Sequence, residues 1–421
     1  MNINEMLGGI DCKCGKRHEC AIKYVYVERD AAKYIPEITE GYNNILIVAD
    51  GNTYLAGGLK CEEQLIVNAG KQPRRVIFPS SLLIPNEAAI AKVNAALDGV
   101  DFILGIGSGV IQDLCKYVAS NAKIPYAIYA TAPSMDGYAS SGAAMITDGM
   151  KVTYPAEVPV AILADTEVIK NAPLDMIKAG YGDIIGKYSA LNDWKLGTAV
   201  NGEYFCDYVY GLTADAVKQV LPLAKKLIER DEESVGTLME ALILVGVAMS
   251  FAGSSRPASG SEHHLSHYFE ITGIVDQKPY LPHGIDVVFS TVITSKLREI
   301  IAESEFPASD FRQSADERAL ELRRVYKSVA DGCIALQDKL GTYTDMRAER
   351  YLANEELIRS ILKESPASSE IEKILEDIEL DIADFYSTYS EEKIIDAIRY
   401  AKDLKDRYTV LWMYYDMFGI D

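Results

Sequence analysis

Asn44 to Ala49 is an almost unbroken apolar run that stops at Asp50-Gly51-Asn52-Thr53, and runs of the same kind recur through the first third of the chain. A strand with one wet face alternates apolar and polar residues, whereas a strand covered on both faces does not. Arg75-Val76-Ile77-Phe78, Asp101 to Leu104 and Tyr126 to Ala130 repeat the unbroken pattern. Between them, sequence from Tyr54 onward and from Glu87 to Leu97 has helical spacing. Continuous runs separated by helices predict a parallel sheet buried between helical layers. Ala143 to Thr147, Val152 to Pro155 and Val160 to Leu163 read as added strands.

After Asp165 the pattern changes. Helical spacing dominates from Leu174 to Leu196, Ala214 to Glu229, Ser234 to Phe251, Gly284 to Ala302, Ser314 to Leu340 and Glu391 to Phe418. The 421 residues exceed what one compact core usually holds. The expected division is therefore 1–164, an α/β dinucleotide-binding domain with a parallel sheet, and 165–421, an all-helical domain that binds metal and substrate.

The formal net charge of −20 excludes a nucleic-acid partner, because little here would displace phosphate counterions. It argues equally against an anionic membrane surface. Ala241 to Ala252 is too short to span a bilayer and contains Gly246 and Ser250, so it reads as a buried helix. The start, Met1-Asn2-Ile3-Asn4-Glu5, has neither the cationic lead nor the apolar core of a signal peptide. Seven scattered cysteines suit reduced thiols in a cytoplasmic protein. Cys12, Cys14, His18 and Cys20 have ligand types that suit zinc. Their tight spacing and the lack of a second knuckle instead read as an incidental thiol-rich loop.

Four of the five histidines fall within one stretch: His263, His264, His267 and His283. Neutral imidazole is both a metal ligand and a proton shuttle, so the crowding reads as a site. His263 and His267 are four apart and share a helix face. Gly105-Ile106-Gly107-Ser108-Gly109 joins a predicted strand to a predicted helix, where backbone N–H groups attract a pyrophosphate. The third glycine follows the second by two residues rather than the three of the dinucleotide fingerprint, so a ligand-free tight turn fits equally well. Thr131 to Ser141 lies past a strand's carboxyl end, where α/β sheets bind ligands, although its composition also suits a plain loop. Asp183, in Gly180-Tyr181-Gly182-Asp183, either favours a helix start, with Lys187 as its pair, or joins the histidines. One carboxylate and two imidazoles would leave coordination positions open for substrate.

In this order, with these flanks, the motifs resemble the glycerol-1-phosphate dehydrogenases, which belong with the iron-dependent alcohol dehydrogenases, glycerol dehydrogenases and dehydroquinate synthases. The resemblance covers most of the chain. Asp50 to Tyr54, Thr131 to Ser141, Gly182 to Trp194, Arg256 to His263 and Arg407 to Trp412 carry it, and Cys12 to His18 looks like the bacterial branch.

The resemblance implies one divalent metal ion on Asp183, His263 and His283. It places substrate contacts at Asp136 and His267, and makes the metal ligand Asp183 a neighbour of substrate. It implies NAD(H) or NADP(H) at Gly107, Gly109, Val110, Ile111, Gln112, Asp113, Thr131, Ala132, Pro133, Ser134 and Ser140. Asp50 would take the ribose hydroxyls and repel a 2′-phosphate, which favours NADH. Val110 and Gln112 depart from related chains and leave that choice open. His264 matches no family role and reads as a structural neighbour. The donor set permits zinc, nickel or iron, and bacterial relatives point to zinc or nickel.

The implied reaction is reversible reduction of dihydroxyacetone phosphate to sn-glycerol 1-phosphate, in a homodimer with a small phosphorylated substrate. Lys187 and Arg256 are candidate phosphate holders, each equally readable as a structural cation. A dehydrogenase of glycerol or another polyol is the near alternative. A dehydroquinate synthase-like lyase would carry glutamate as first metal ligand, where this chain has Asp183. An inactive binding protein would have no use for a complete ligand set.

Overall fold

The computed structural model describes residues 3–80, 83–147 and 150–419. Two compact units emerge, one from 1–184 with 218–254, the other from 185–217 with 255–421.

The first unit is built on six parallel strands: β1 (Tyr24–Glu28), β2 (Ile45–Asp50), β3 (Arg74–Phe78), β4 (Phe102–Gly107), β5 (Tyr126–Ala130) and β6 (Ala161–Asp165). Their order is β1-β6-β5-β4-β2-β3. The four inner strands are the unbroken apolar runs, and every residue of β4, β5 and β6 is buried. Polar residues concentrate at the two edges, with Arg74 and Arg75 exposed on β3 and only Val25 fully buried on β1. Edge strands need such residues to discourage further pairing.

Two sequence expectations change. Tyr24–Glu28, not anticipated as a strand, comes first in the sheet, so Asp50 ends its second strand and the glycine-rich turn follows its fourth. The run expected at Val160 to Leu163 is β6, an inner strand rather than an addition, paired with both β1 and β5. Gly142–Thr147 and Met150–Pro155 form a separate antiparallel hairpin.

Chain order reverses direction between β2 and β4, which makes that crevice the topological switch point where such sheets bind ligands. Register puts the relevant loops side by side. Ala49 is opposite Ile106, and Gly107 is opposite Ala130. Asp50, the Gly107–Gly109 turn and Thr131 therefore leave the sheet at one edge.

Glu232–Ala252 is long and apolar enough to cross a membrane, but 83% of its apolar window is buried inside the protein. Its small residues support a loop. Ser250 Oγ donates to Ala139 O at 2.9 Å. A Cβ on Gly246 would lie 2.8 Å from Asp136 O, so only glycine lets the loop settle there.

The second unit is helical, and among the described residues no strand follows Asp165. Its core gathers Leu196, Val200, Ile301, Ile358, Trp412 and Met413, among others. Several long periodic stretches break. Leu174 to Leu196 divides at Gly186 into Leu174–Ile185 and Lys187–Asn201. Pro222 interrupts the next stretch after Val220, since it offers no N–H to continue the ladder. Lys327, at φ 48°, divides the stretch from Ser314 to Leu340.

Candidate metal centre and nucleotide-binding edge

In the helical unit, two helices that pack on each other bring three histidines together. Ser261–Asp276 carries His263 and His267, and His283–Glu303 begins with the third. The His263 ring centroid lies 6.0 Å from His267 and 5.2 Å from His283, and the last two are 5.5 Å apart. Ring nitrogens of His263 and His283 approach within 4.8 Å.

The histidines are held by their neighbours. His263 Nδ1 lies 2.6 Å from Glu262 Oε1, which also accepts from Gly260 N at 2.9 Å. A carboxylate at that position fixes Nδ1 as the protonated nitrogen and leaves the Nε2 lone pair for a ligand. Burial alone would raise the Glu262 pKa. The hydrogen bond and charge of His263, the Gly260 N–H and the Lys187 ammonium outweigh it and hold the carboxyl below its ordinary range. His283 Nδ1 faces Ser266 Oγ at 3.4 Å, a contact from the helix that carries His263.

The helix start is itself fixed from several sides. A Cβ on Gly260 would meet Asp193 Oδ2 at 2.7 Å and Ala190 Cα at 2.8 Å. Lys187 Nζ donates to Ala258 O at 2.9 Å, and Arg407 Nη1 to Ser259 O at 2.9 Å. Arg256 donates to Tyr408 O at 2.7 Å and pairs with Glu203. Lys187 and Arg256 thus both have structural work in placing this segment. His264 is fully buried, and neither ring nitrogen has a hydrogen-bond partner among the described residues. Burial, then the Arg407, Lys405 and Arg256 charges, push its pKa well below the ordinary value and keep it neutral.

In the sheet-bearing unit, Asp183 is completely buried and accepts the Asp136 N–H at 2.9 Å. It lies in the last turn of Leu174–Ile185 rather than opening a helix. A carboxylate there opposes the helix dipole and needs a donor or cation to offset it.

The glycine-rich turn opens Gly109–Ala122, whose N-cap Ser108 makes no side-chain cap bond. A Cβ on Gly107 would meet Ile111 at 2.6 Å, so the turn closes tightly against its helix. Gln112 is buried with its amide donating to Tyr138 O at 2.9 Å. Burial raises the Asp113 pKa against the opposing Lys116 charge. Lys116 Nζ reaches Asp113 at 3.5 Å, Gly137 O at 2.8 Å, Gly142 O at 2.9 Å and Ser140 Oγ at 3.2 Å. This one buried ammonium gathers the carbonyls of the Ser134–Gly142 loop, a role the sequence did not signal. Tyr138 OH donates to Ala132 O at 2.7 Å, and Thr131 N to Gly107 O at 3.1 Å. A Cβ on Gly180 would fall 1.8 Å from Pro133 O. Asp50 Oδ1 caps the next helix by accepting from Asn52 N at 2.8 Å and Thr53 N at 3.0 Å.

Relatives share this sequence over most of its length. A glycerol-1-phosphate dehydrogenase (NAD(P)+) of Halalkalibacterium halodurans is 34% identical over 294 residues, 68% of this chain and 73% of that protein. The chain belongs to the glycerol-1-phosphate dehydrogenase family. The enzyme of that name from Bacillus licheniformis aligns over 97% of this chain and 92% of its own length at 31% identity. Residues 27–173 match the iron-containing alcohol dehydrogenase family model. Among solved structures, the archaeal halo-thermophilic Red Sea brine pool alcohol dehydrogenase shares the fold, with a TM-score of 0.63 at 14% identity over 95% of this chain and 98% of that one. Membership makes this chain an oxidoreductase.

Glu262 was visible in the sequence only as a neighbour of His263. Replacing it with glutamine is expected to weaken divalent-metal affinity about 10- to 100-fold, because an amide holds the imidazole tautomer less firmly. Metal titration by calorimetry measures this. Unchanged affinity would deny Glu262 its orienting role.

Proposed function

We propose that this chain catalyses the reversible reduction of dihydroxyacetone phosphate to sn-glycerol 1-phosphate with NAD(P)H. Asp183, His263 and His283 would together hold one divalent cation. Family membership supports the reading, and one observation carries the ligand set. Glu262 orients His263 through Nδ1, and ring nitrogens of His263 and His283 lie within 4.8 Å of one another. Two neutral imidazoles and a carboxylate suit zinc, nickel or iron. When bound, the cation would polarise the substrate carbonyl as a Lewis acid, and the nicotinamide would supply hydride.

The residues themselves position and protonate. Backbone N–H groups at Gly109, Val110 and Ile111 would take the cofactor pyrophosphate, and Asp50 the ribose hydroxyls. Gln112, Asp113 and Ser140 act through the loop that they and Lys116 hold. That loop would present Thr131, Ala132, Pro133 and Ser134 to the cofactor. Asp136 and His267 would touch substrate, and His267 would deliver the proton to the product oxygen. Asp50 favours NADH over NADPH. We place the reaction in the cytoplasm and in a homodimer, the commonest closed assembly.

The test follows NADH oxidation with dihydroxyacetone phosphate, then repeats it after chelation and after metal is returned. Activity should vanish on chelation and return with zinc or nickel. Failure of the metal-loaded protein to oxidise NADH with this substrate would reject the proposal. Faster turnover of glycerol than of glycerol 1-phosphate would reassign the chain to the polyol dehydrogenases.

A further inference from the structure

We propose that Cys12, Cys14 and His18 are ligands of a structural zinc ion, separate from the proposed catalytic cation. Their thiol sulfurs and an imidazole nitrogen all lie within 4.8 Å of one another. Tetrahedral zinc, with bonds of about 2.0–2.3 Å, requires such clustering. Cys14 Sγ is 3.4 Å from His18 Nε2.

His18 is prepared as a ligand. It is 1% exposed, and its Nδ1 lies 2.9 Å from Phe251 O. That carbonyl can only accept, so Nδ1 carries the proton and Nε2 the lone pair. A backbone carbonyl behind the imidazole is the usual support of a metal-bound histidine. The His18 ring also stacks on Phe251 at 5.5 Å.

The backbone around the thiols forms a tight knuckle. Ile10–Asp11 pairs with Arg17–His18, and the turn closes through Cys12 N to Lys16 O at 3.0 Å and Gly15 N to Cys12 O at 3.0 Å. Gly15 has φ +85°, which lets the chain reverse immediately after Cys14. Strands of two residues cannot sustain a hairpin by themselves, so a metal would supply what the knuckle lacks. Thiolate and imidazole donors select zinc over magnesium or calcium.

Among the described residues no disulfide consumes any of the seven thiols. Binding would release the thiol protons to solvent.

Cobalt substitution in the full-length enzyme separates this site from the catalytic one. The proposed catalytic ligands contain no sulfur, so a thiolate-to-cobalt charge-transfer band reports on the cysteine site alone. We expect that band in the wild-type protein, and its loss in Cys12→Ser/Cys14→Ser with the metal-dependent activity retained. Metal analysis should find about two divalent ions per chain, one resisting mild chelation and released by a mercurial thiol reagent. Absence of the band from wild-type protein, with no zinc released by the mercurial, would overturn the site whether or not the double variant folds.

Discussion

Replacing His263 with alanine should lower kcat/KM for dihydroxyacetone phosphate about 1,000-fold or more, equivalent to about 4 kcal/mol of transition-state stabilisation. The size follows from what the ring does. Its Nδ1 is committed to Glu262, so the lone pair it would give a cation is on Nε2. On the proposed ligand set, alanine removes a third of the protein donors to the cation. His283→Ala should act on the same scale. Asp183→Asn should as well, since an amide can still accept the Asp136 N–H but brings no negative charge to the ion. The proposed nicotinamide-binding residues, in the Gly107–Gly109 turn and the Thr131–Ser134 loop, belong to the other unit, so the dissociation constant for NADH should change less than about threefold. Steady-state kinetics and cofactor fluorescence measure the two effects. Wild-type turnover by metal-stripped His263→Ala protein would remove the catalytic reading altogether.

The contrast between the two helices that carry histidines and the sheet that carries the glycines shows what a single chain reveals about itself. Strands β2, β4 and β5 were legible because burial on both faces leaves no room for polar residues, and that signal is local. Tyr24–Glu28 was not, because an edge strand alternates and mixes Tyr, Val and Glu. Long helical stretches were legible as periodicity. Their breaks leave the apolar spacing unchanged, as at Gly186, or depend on a residue held at positive φ, as at Lys327. Pro222 was the one break with a sequence signal.

The candidate site divides in the same way. His263 and His267 announce themselves by a spacing of one helical turn. Glu262 does not, because an acidic residue next to a histidine usually means nothing. Lys116 and Asp193 act on segments far away in the chain, where no local pattern could point to them. The N-terminal cysteines read as a loose loop because spacing alone omits the Phe251 carbonyl that orients His18 and the turn at Gly15 that gathers the thiols.

Asp193 carries the second large expectation. Its Oδ2 accepts from Ser261 N at 2.6 Å, at the start of the helix that bears His263. Its Oδ1 accepts from Val410 N at 2.9 Å, starting the last helix, and pairs with Arg298 at 2.9 Å. Asp193 and Arg298 are 0% and 2% exposed along their side chains. Arg298 also reaches Asn192 Oδ1 at 2.9 Å and Ser189 O at 3.1 Å, but those neutral acceptors do not balance its charge. Asp193→Ala strands a buried guanidinium and two helix-start N–H groups together, so it should cost about 3–5 kcal/mol of stability. Asp193→Asn preserves the shape and some of the bonds, so it should fold better yet still lose the charge balance. A double variant, Asp193→Asn with Arg298→Met, should recover part of the loss, because the unpaired charge goes with the arginine. Urea unfolding of the helical unit's tryptophan signal, from Trp194 and Trp412, reports all three. If Asp193→Ala unfolds at the wild-type midpoint, the buried pair does not hold the histidine helix in place. If its loss exceeds that of Asp193→Asn and the double variant recovers stability, the helix that carries His263 is held by a carboxylate outside the proposed ligand set.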